Sequence, residues 1–439
     1  MINRFRPSRS VRRLAVDLVA MIALVATLAA CGGDEKKGAQ IEWIPGTPPG
    51  EVAQTDQPTP EEAALPTVTA TTDESAPAEP TPTEGAAAPT PTTQQSAAVS
   101  GRKLTAEELE QFKPNELGLV PVLEYHVFTP DASLEAQFVR TPDDFRADLQ
   151  WLYEHNFYVI PLRDLILNEI KAPAGKRPVV LTFDDSTAGQ FRYLIGEDDS
   201  VTIDPESGVG IMEEFFAAHP DFGRGGFFAV LPTDSFCFSW QFEETEEDQL
   251  GRCAEKLQWL VTNGYEVGNH TLNHKSLYDV DDDTFAAELG GAIDAMQAMA
   301  PDATGDILAM PFGDYPKKGH EQQREMLRNG FTYEGREIRM LGALMVGSEP
   351  AYSPVSSDWD PIYIARIQAW DKDAQKKYPK ELGDAMSLDD WFDVFESDPE
   401  RLYTSDGDPN TITVPEELPA SLAETFDETK TEGKEVVRY

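Results

Sequence analysis

From Gly118 onward the chain alternates apolar extended runs with amphipathic ones. "GLVPVLEYH" ends at His126, and "PDDFRADLQWLYEH" follows with Phe145, Leu149 and Leu152 on one helical face. "FYVIPL" and "RPVVLTFDD" are the next extended runs, and "GRGGFFAVLP" comes after an insertion rich in Asp and Gly. The spacing of Leu250, Leu257, Leu260 and Val261 predicts a helix from Asp248 to Asn263, stopped by Asn263-Gly264. "YEVGNHT" is again extended. A helix then starts near Asp282 and carries Phe285, Leu289, Ile293 and Met296. "DILAMPFG", a helix ending at Asn329-Gly330, "ALMVGS" and "YIARIQAW" complete the series. Such alternation predicts an α/β fold with a largely parallel sheet, and the seven or eight strand candidates suit a barrel better than an open sheet. Beyond Trp370 the chain is acidic, with a weak helical pattern at Leu388 to Phe395, and is expected to fade toward disorder.

The first hundred residues lack this alternation. Arg4, Arg6, Arg9, Arg12 and Arg13 form a basic leader, followed by the apolar run "LVAMIALVATLAA". That run has the length of a secretory core and is short for a bilayer span. It ends in "LAAC" before two glycines, which resembles a bacterial lipobox with Cys31 as the lipidated residue. Between Ile41 and Ser100 lie eleven prolines and one aromatic, Trp43, too little apolar surface to offset chain entropy. The expected organisation is a lipoprotein signal peptide over 1–30, a disordered Pro/Thr/Ala/Glu-rich tether over 31–103, a folded domain over 104–372 and an acidic extension over 373–439. The expected location is extracytoplasmic, anchored to a bacterial membrane through lipid on Cys31.

The formal charge is −42, and −46 once the leader's five arginines and one aspartate are removed. That argues against nucleic acid and anionic lipid headgroups as partners; it fits a neutral or cationic substrate, and a solvated acidic surface accounts for it more simply. With Cys31 assigned to lipid, Cys237 and Cys253 remain, and an even pair in an exported chain predicts a disulfide.

Chemistry concentrates at strand ends. Val179, Val180 and Leu181 run into Asp184 and Asp185, where an isolated acid pair reads as a helix cap. The stretch "GNHTLNH" carries His270 and His274, two of the six histidines, and alone reads as a surface loop. Together they supply two imidazoles and a carboxylate, a ligand set that leaves positions open on a divalent metal.

Strand-end "TFDD" followed by strand-end "HxxxH" resembles the NodB-homology polysaccharide deacetylases, a carbohydrate esterase family. "VPVLEYH", "FRADLQWLYEHNFYVIPL", "GRGGFFAVLP" and "AMPFGDY" extend the likeness over roughly Val120 to Trp370. The resemblance implies a distorted (β/α) barrel and metal-dependent hydrolysis of acetamide groups on N-acetylhexosamine polysaccharides such as peptidoglycan, chitin-like chains or poly-N-acetylglucosamine. It implies Asp185, His270 and His274 as ligands of zinc, with cobalt or nickel as alternatives. Asp184 falls at the general base, and the backbone N–H of Phe312 at an oxyanion donor.

Two family features are absent. The arginine that holds the base in many members is replaced by Ala309, and no histidine follows His320, so the late acid is missing and "IARIQAW" offers no substitute. A subgroup resembling the poly-N-acetylglucosamine deacetylases shares the Tyr-His of "EYH" and also lacks the late histidine, which makes His126 the candidate acid. Two other readings stand beside the active enzyme: a degenerate metal- or glycan-binding lipoprotein, and a solute-binding lipoprotein.

Overall fold

The structure is a computed structural model that describes residues 102–439 except 131–137, 234, 242–243, 348, 371–384, 419–421 and 423–424. The leader, Cys31 and the tether lie outside the described residues. Eight strands build one sheet: β1 Val122–Tyr125, β2 Phe157–Val159, β3 Arg177–Phe183, β4 Phe227–Val230, β5 Glu266–Asn269, β6 Ile307–Ala309, β7 Gly342–Leu344 and β8 Ile367–Gln368. Their order is β7-β6-β5-β4-β3-β1-β8, with β2 paired to the start of β3. All pairings within it are parallel. A bridge from Leu344 to Ile364 brings the segment before β8 back against β7 and curls the sheet into a distorted barrel. Each predicted extended run supplies one strand.

Helices α1 Pro142–Glu154, α2 Gly208–Ala218, α3 Cys253–Thr262, α4 Asp282–Met299, α5 Glu321–Asn329 and α6 Leu388–Ser397 accompany the strands. Phe145, Leu149 and Leu152 of α1 are buried, as their spacing requires. The acids before α4 serve as a start signal: Asp281 accepts a hydrogen bond from Thr284 N at 2.8 Å, and Asp282 and Asp283 face the positive end of the helix.

Two expectations fail. Helix α3 begins at Cys253, not Asp248, because Gly251 takes a left-handed φ of 72° that ends any helix reaching back to Leu250, which is 42% exposed. The acidic C-terminal stretch does not fade into disorder over its described part. Leu388, Trp391, Phe392 and Phe395 of α6 sit in the main core, with Trp151 of α1 stacked on Phe392 at 3.9 Å. Leu402 and Thr404 bridge to Leu119 and Asn115, and β-paired Thr411–Val414 is buried. A short apolar face every three to four residues is enough to dock a helix when its neighbours offer a matching surface, whatever the net charge of the segment.

Candidate active site

Strand β3 delivers Asp184 and Asp185 immediately beyond its last residue. The chain then turns sharply, with Asp185 and Ser186 at φ of 73° and 47°, values that non-glycine residues reach only when held. The holding groups come from the loop before α3. Phe238 N donates to Ser186 O at 2.7 Å, and Trp240 Nε1 donates to Asp185 O at 3.2 Å. A Cys237–Cys253 disulfide closes that loop, as the pairing argument expected. Trp240 is therefore a buttress of the turn that carries the acid.

Strand β5 ends at Asn269, and His270 and His274 follow on a loop pinned to α4. Asn269 Nδ2 donates to Leu289 O at 3.0 Å. Asn273 donates from its backbone and its amide to Glu288, each at 3.0 Å. The asparagine before each histidine thus anchors the loop that presents it.

The two segments, 85 residues apart, meet. Asp185 Oδ1 lies 3.0 Å from His270 Nε2 and 3.2 Å from His274 Nε2. Donor atoms of the three residues fall within 4.8 Å of one another. Two ligands each ~2.1 Å from a tetrahedral cation lie about 3.4 Å apart, so the spacing fits a shared divalent ion. His270 Nδ1 faces Ala309 O at 2.9 Å, which fixes the ring and turns the Nε2 lone pair to the centre. One carboxylate and two imidazoles are a donor set for a borderline metal with open positions. Burial would raise the Asp185 carboxyl, but hydrogen bonds from His270 and His274 hold it well below the usual range. His270 is pushed down by burial and, more strongly, up by Asp185 and Asp184, and ends above its ordinary value.

Asp184 is not part of that set. Its carboxylate takes two bonds from Arg366, 2.8 Å to Oδ1 and 2.7 Å to Oδ2. Both side chains are buried. Burial favours a neutral Asp184, and the Arg366 charge and hydrogen bonds overcome it, so the acid stays below its ordinary value. Arg366 is itself fixed by Met345 O at 2.9 Å and Thr182 Oγ1 at 3.2 Å. By sequence, Ala309 stands where many family members carry an arginine, and none was sought elsewhere; Arg366, from the "IARIQAW" segment, makes the contact with Asp184. The guanidinium reaches Asp184 because β8, which Arg366 directly precedes, lies beside β1, which lies beside β3. A lone arginine between Ile364 and Ile367 in an apolar strand was the available signal.

His126 directly follows β1, and its ring lies tilted at 55° against that of Phe138, with centroids 4.8 Å apart. Burial lowers its pKa against the pull of Asp185 and Asp184. Its Nε2 lies 3.5 Å from Glu124 Oε1, a second buried acid that the pattern reading passed over. Phe312 adopts φ 62° just after β6; the residue is 49% exposed and its ring centroid lies 4.6 Å from that of His274. All six sequence-predicted site residues therefore follow the carboxyl ends of strands β1, β3, β5 and β6, where α/β barrels gather chemistry.

Residues 236–329 match the family described as polysaccharide deacetylase. The deacetylase match starts in the disulfide loop and runs through β5, His270, His274, β6 and Phe312 to α5, leaving Asp184 and Asp185 upstream. Among solved structures, the deacetylase PplD of Streptococcus pyogenes is similar at 17% identity over 61% of this chain and 98% of that one, with a TM-score of 0.42. IcaB from Ammonifex degensii is similar at 13% identity over 59% of this chain and 95% of that one, TM-score 0.40. The putative polysaccharide deacetylase BA0330 from Bacillus anthracis is similar at 13% identity over 57% and 64%, TM-score 0.39. No curated protein matches the chain.

Proposed function

We propose that the chain hydrolyses acetamide groups on N-acetylhexosamine polysaccharides, using a divalent metal, zinc by preference of its donor set, held by Asp185, His270 and His274. The observation that carries this reading is the pairing of two differently prepared acids: Asp185 faces two imidazoles, while its neighbour Asp184 faces a guanidinium and is left available for proton transfer. A bound divalent cation would lower the pKa of water and polarise the amide carbonyl.

The chain's own residues do the rest. Asp184, kept ionised by Arg366, takes the proton of the attacking water. The peptide N–H of Phe312 is the proposed donor to the developing oxyanion, and such a donor contributes about 3–4 kcal/mol where water is excluded. His126 gives a proton to the leaving amine. A strongly acidic mature chain is compatible with a neutral glycan and repels anionic polymers. The disulfide supports an oxidising compartment, and with the lipobox-like "LAAC" it supports an extracytoplasmic chain held by lipid on Cys31.

The test is acetate release from peptidoglycan, chitin oligomers and poly-N-acetylglucosamine with zinc, cobalt or nickel. Release from at least one polymer is expected, abolished in Asp184→Asn with metal content unchanged. Metal binding without release from any polymer would mean a degenerate domain, and a metal-free protein would remove the reading altogether.

A further inference from the structure

Besides the proposed metal ligands, Glu124, His126 and Asp184 bring donor atoms within 4.8 Å of one another. By donor type they would suit a second cation, but a cation is already present. Arg366 Nη2 lies 2.7 Å from Asp184 Oδ2 and 3.3 Å from Glu124 Oε1. The guanidinium is committed to Asp184 by two hydrogen bonds and only neighbours Glu124. Glu124 is fully buried in β1, between Thr182 of β3 and Gln368 of β8, and neither carboxyl oxygen accepts a hydrogen bond. An ionised carboxylate in such a place costs several kcal/mol, so the group has reason to keep a proton. The one imidazole within 4 Å of it among the described residues is that of His126, 3.5 Å away.

We propose that Glu124 is the proton-holding partner of His126, storing on its carboxyl the proton that the imidazole passes on to the leaving amine. The inference rests on the reading of His126 given above. As the C–N bond of the tetrahedral adduct breaks, His126 gives its proton to the departing nitrogen and its Nε2 receives the proton of Glu124. Glu124 is left as a carboxylate beside Arg366, which offsets the new charge. The proton that Asp184 took from water returns to the imidazole nitrogen that served the amine while Nε2 hands its proton back to Glu124, which resets both groups, and acetic acid and amine are the balanced products.

The electrostatics agree. The charged and titratable groups around Glu124 are Arg366, Asp184, His270 and Asp185, with His126 just past the end of its own strand. Burial dominates, Arg366 opposes it and Asp184 reinforces it, so the carboxyl is raised to about 8. His126 alone is lowered by burial. The pair therefore keeps a proton to a higher pH than the imidazole could by itself.

The experiment is the pH dependence of kcat for Glu124→Gln on N-acetylglucosamine oligomers, with zinc content and Tm measured in parallel. Expected are a fall in kcat of about tenfold or more at pH 8, little change in KM or zinc content, and a basic limb displaced to lower pH. Glu124→Asp, which keeps a carboxyl, should restore the limb in part, and it carries the test if the glutamine variant does not fold. A merely structural Glu124 would lower Tm or zinc content and leave the limb in place, which overturns the inference. His126→Ala separates the two readings. If it retains wild-type kcat, the assignment of His126 fails and Glu124 falls with it; if it is impaired while Glu124→Gln is not, only the Glu124 inference fails.

Discussion

Replacing Arg366 with methionine should expose what the arginine does. Its side chain is fully buried, as is that of Asp184, so solvent does not screen the pair. The substitution removes two charge-assisted hydrogen bonds of 2.8 and 2.7 Å and leaves Asp184 near buried Glu124 with no counter-charge. Removing one partner of a buried pair costs about 3–5 kcal/mol, most of it the penalty of the abandoned charge. For a domain of this size that corresponds to a fall in Tm of about 5–10 °C. Calorimetry of wild type, Arg366→Met, Asp184→Asn and the double variant tests the argument. If the cost is the abandoned acid, Asp184→Asn in the Arg366→Met background should recover at least ~1 kcal/mol, a non-additivity expected for groups in contact. Arg366→Lys should recover charge without the two-pronged geometry and remain impaired in acetate release. A Tm within ~1 °C of wild type for Arg366→Met, or no recovery in the double variant, would refute the reasoning.

The remaining predictions concern the metal set, the loop and the buried lysine. His270→Ala and His274→Ala should each lose zinc by at least ~10-fold in affinity, measured by competition with a chelating dye, whereas His126→Ala should not. Cys237→Ser/Cys253→Ser opens a loop of 16 residues and should cost about 3 kcal/mol in denaturant melts. Because that loop holds the Asp185–Ser186 turn, acetate release should fall with it. Lys256 is lowered to about 7 by burial, although its Nζ donates to Phe238 O and Gln249 Oε1. Between that value and the ordinary lysine pKa the unfolded chain binds more protons, so this residue makes stability rise with pH, by up to ~1.4 kcal/mol per unit. Raised acids such as Glu124 and Glu266, at about 8 and about 7, act in the opposite sense at lower pH. The difference between wild type and Lys256→Met in urea melts from pH 8 to 10 isolates the lysine; a difference flat with pH would contradict its burial as a partly neutral group.

Sequence alone settled what depends on neighbours along the chain. Strand and helix periodicities are local, and each of the eight extended runs became a strand of the sheet. The meeting of Asp185, His270 and His274 was also legible, because they sit in two short segments at strand ends and a parallel barrel brings such ends to one face. Asn269 and Asn273 each precede a histidine, but the contacts by which they tie that loop to α4 came only with the fold. What lay beyond reach were partners without spacing. Arg366 meets Asp184 across 182 residues, and only the strand order that puts β8 beside β1 and β1 beside β3 makes the contact. Glu124 and Arg366 each stood as a single charge in an apolar run, a pattern that signals burial without naming the counter-charge. The folding of the acidic C-terminal stretch was hidden for the same reason: whether Leu388, Trp391, Phe392 and Phe395 stay in water depends on the surface waiting for them. Local pattern fixes which groups leave water, and the tertiary structure decides which charges they meet there, since electrostatic pairing acts through space and takes no account of distance along the chain.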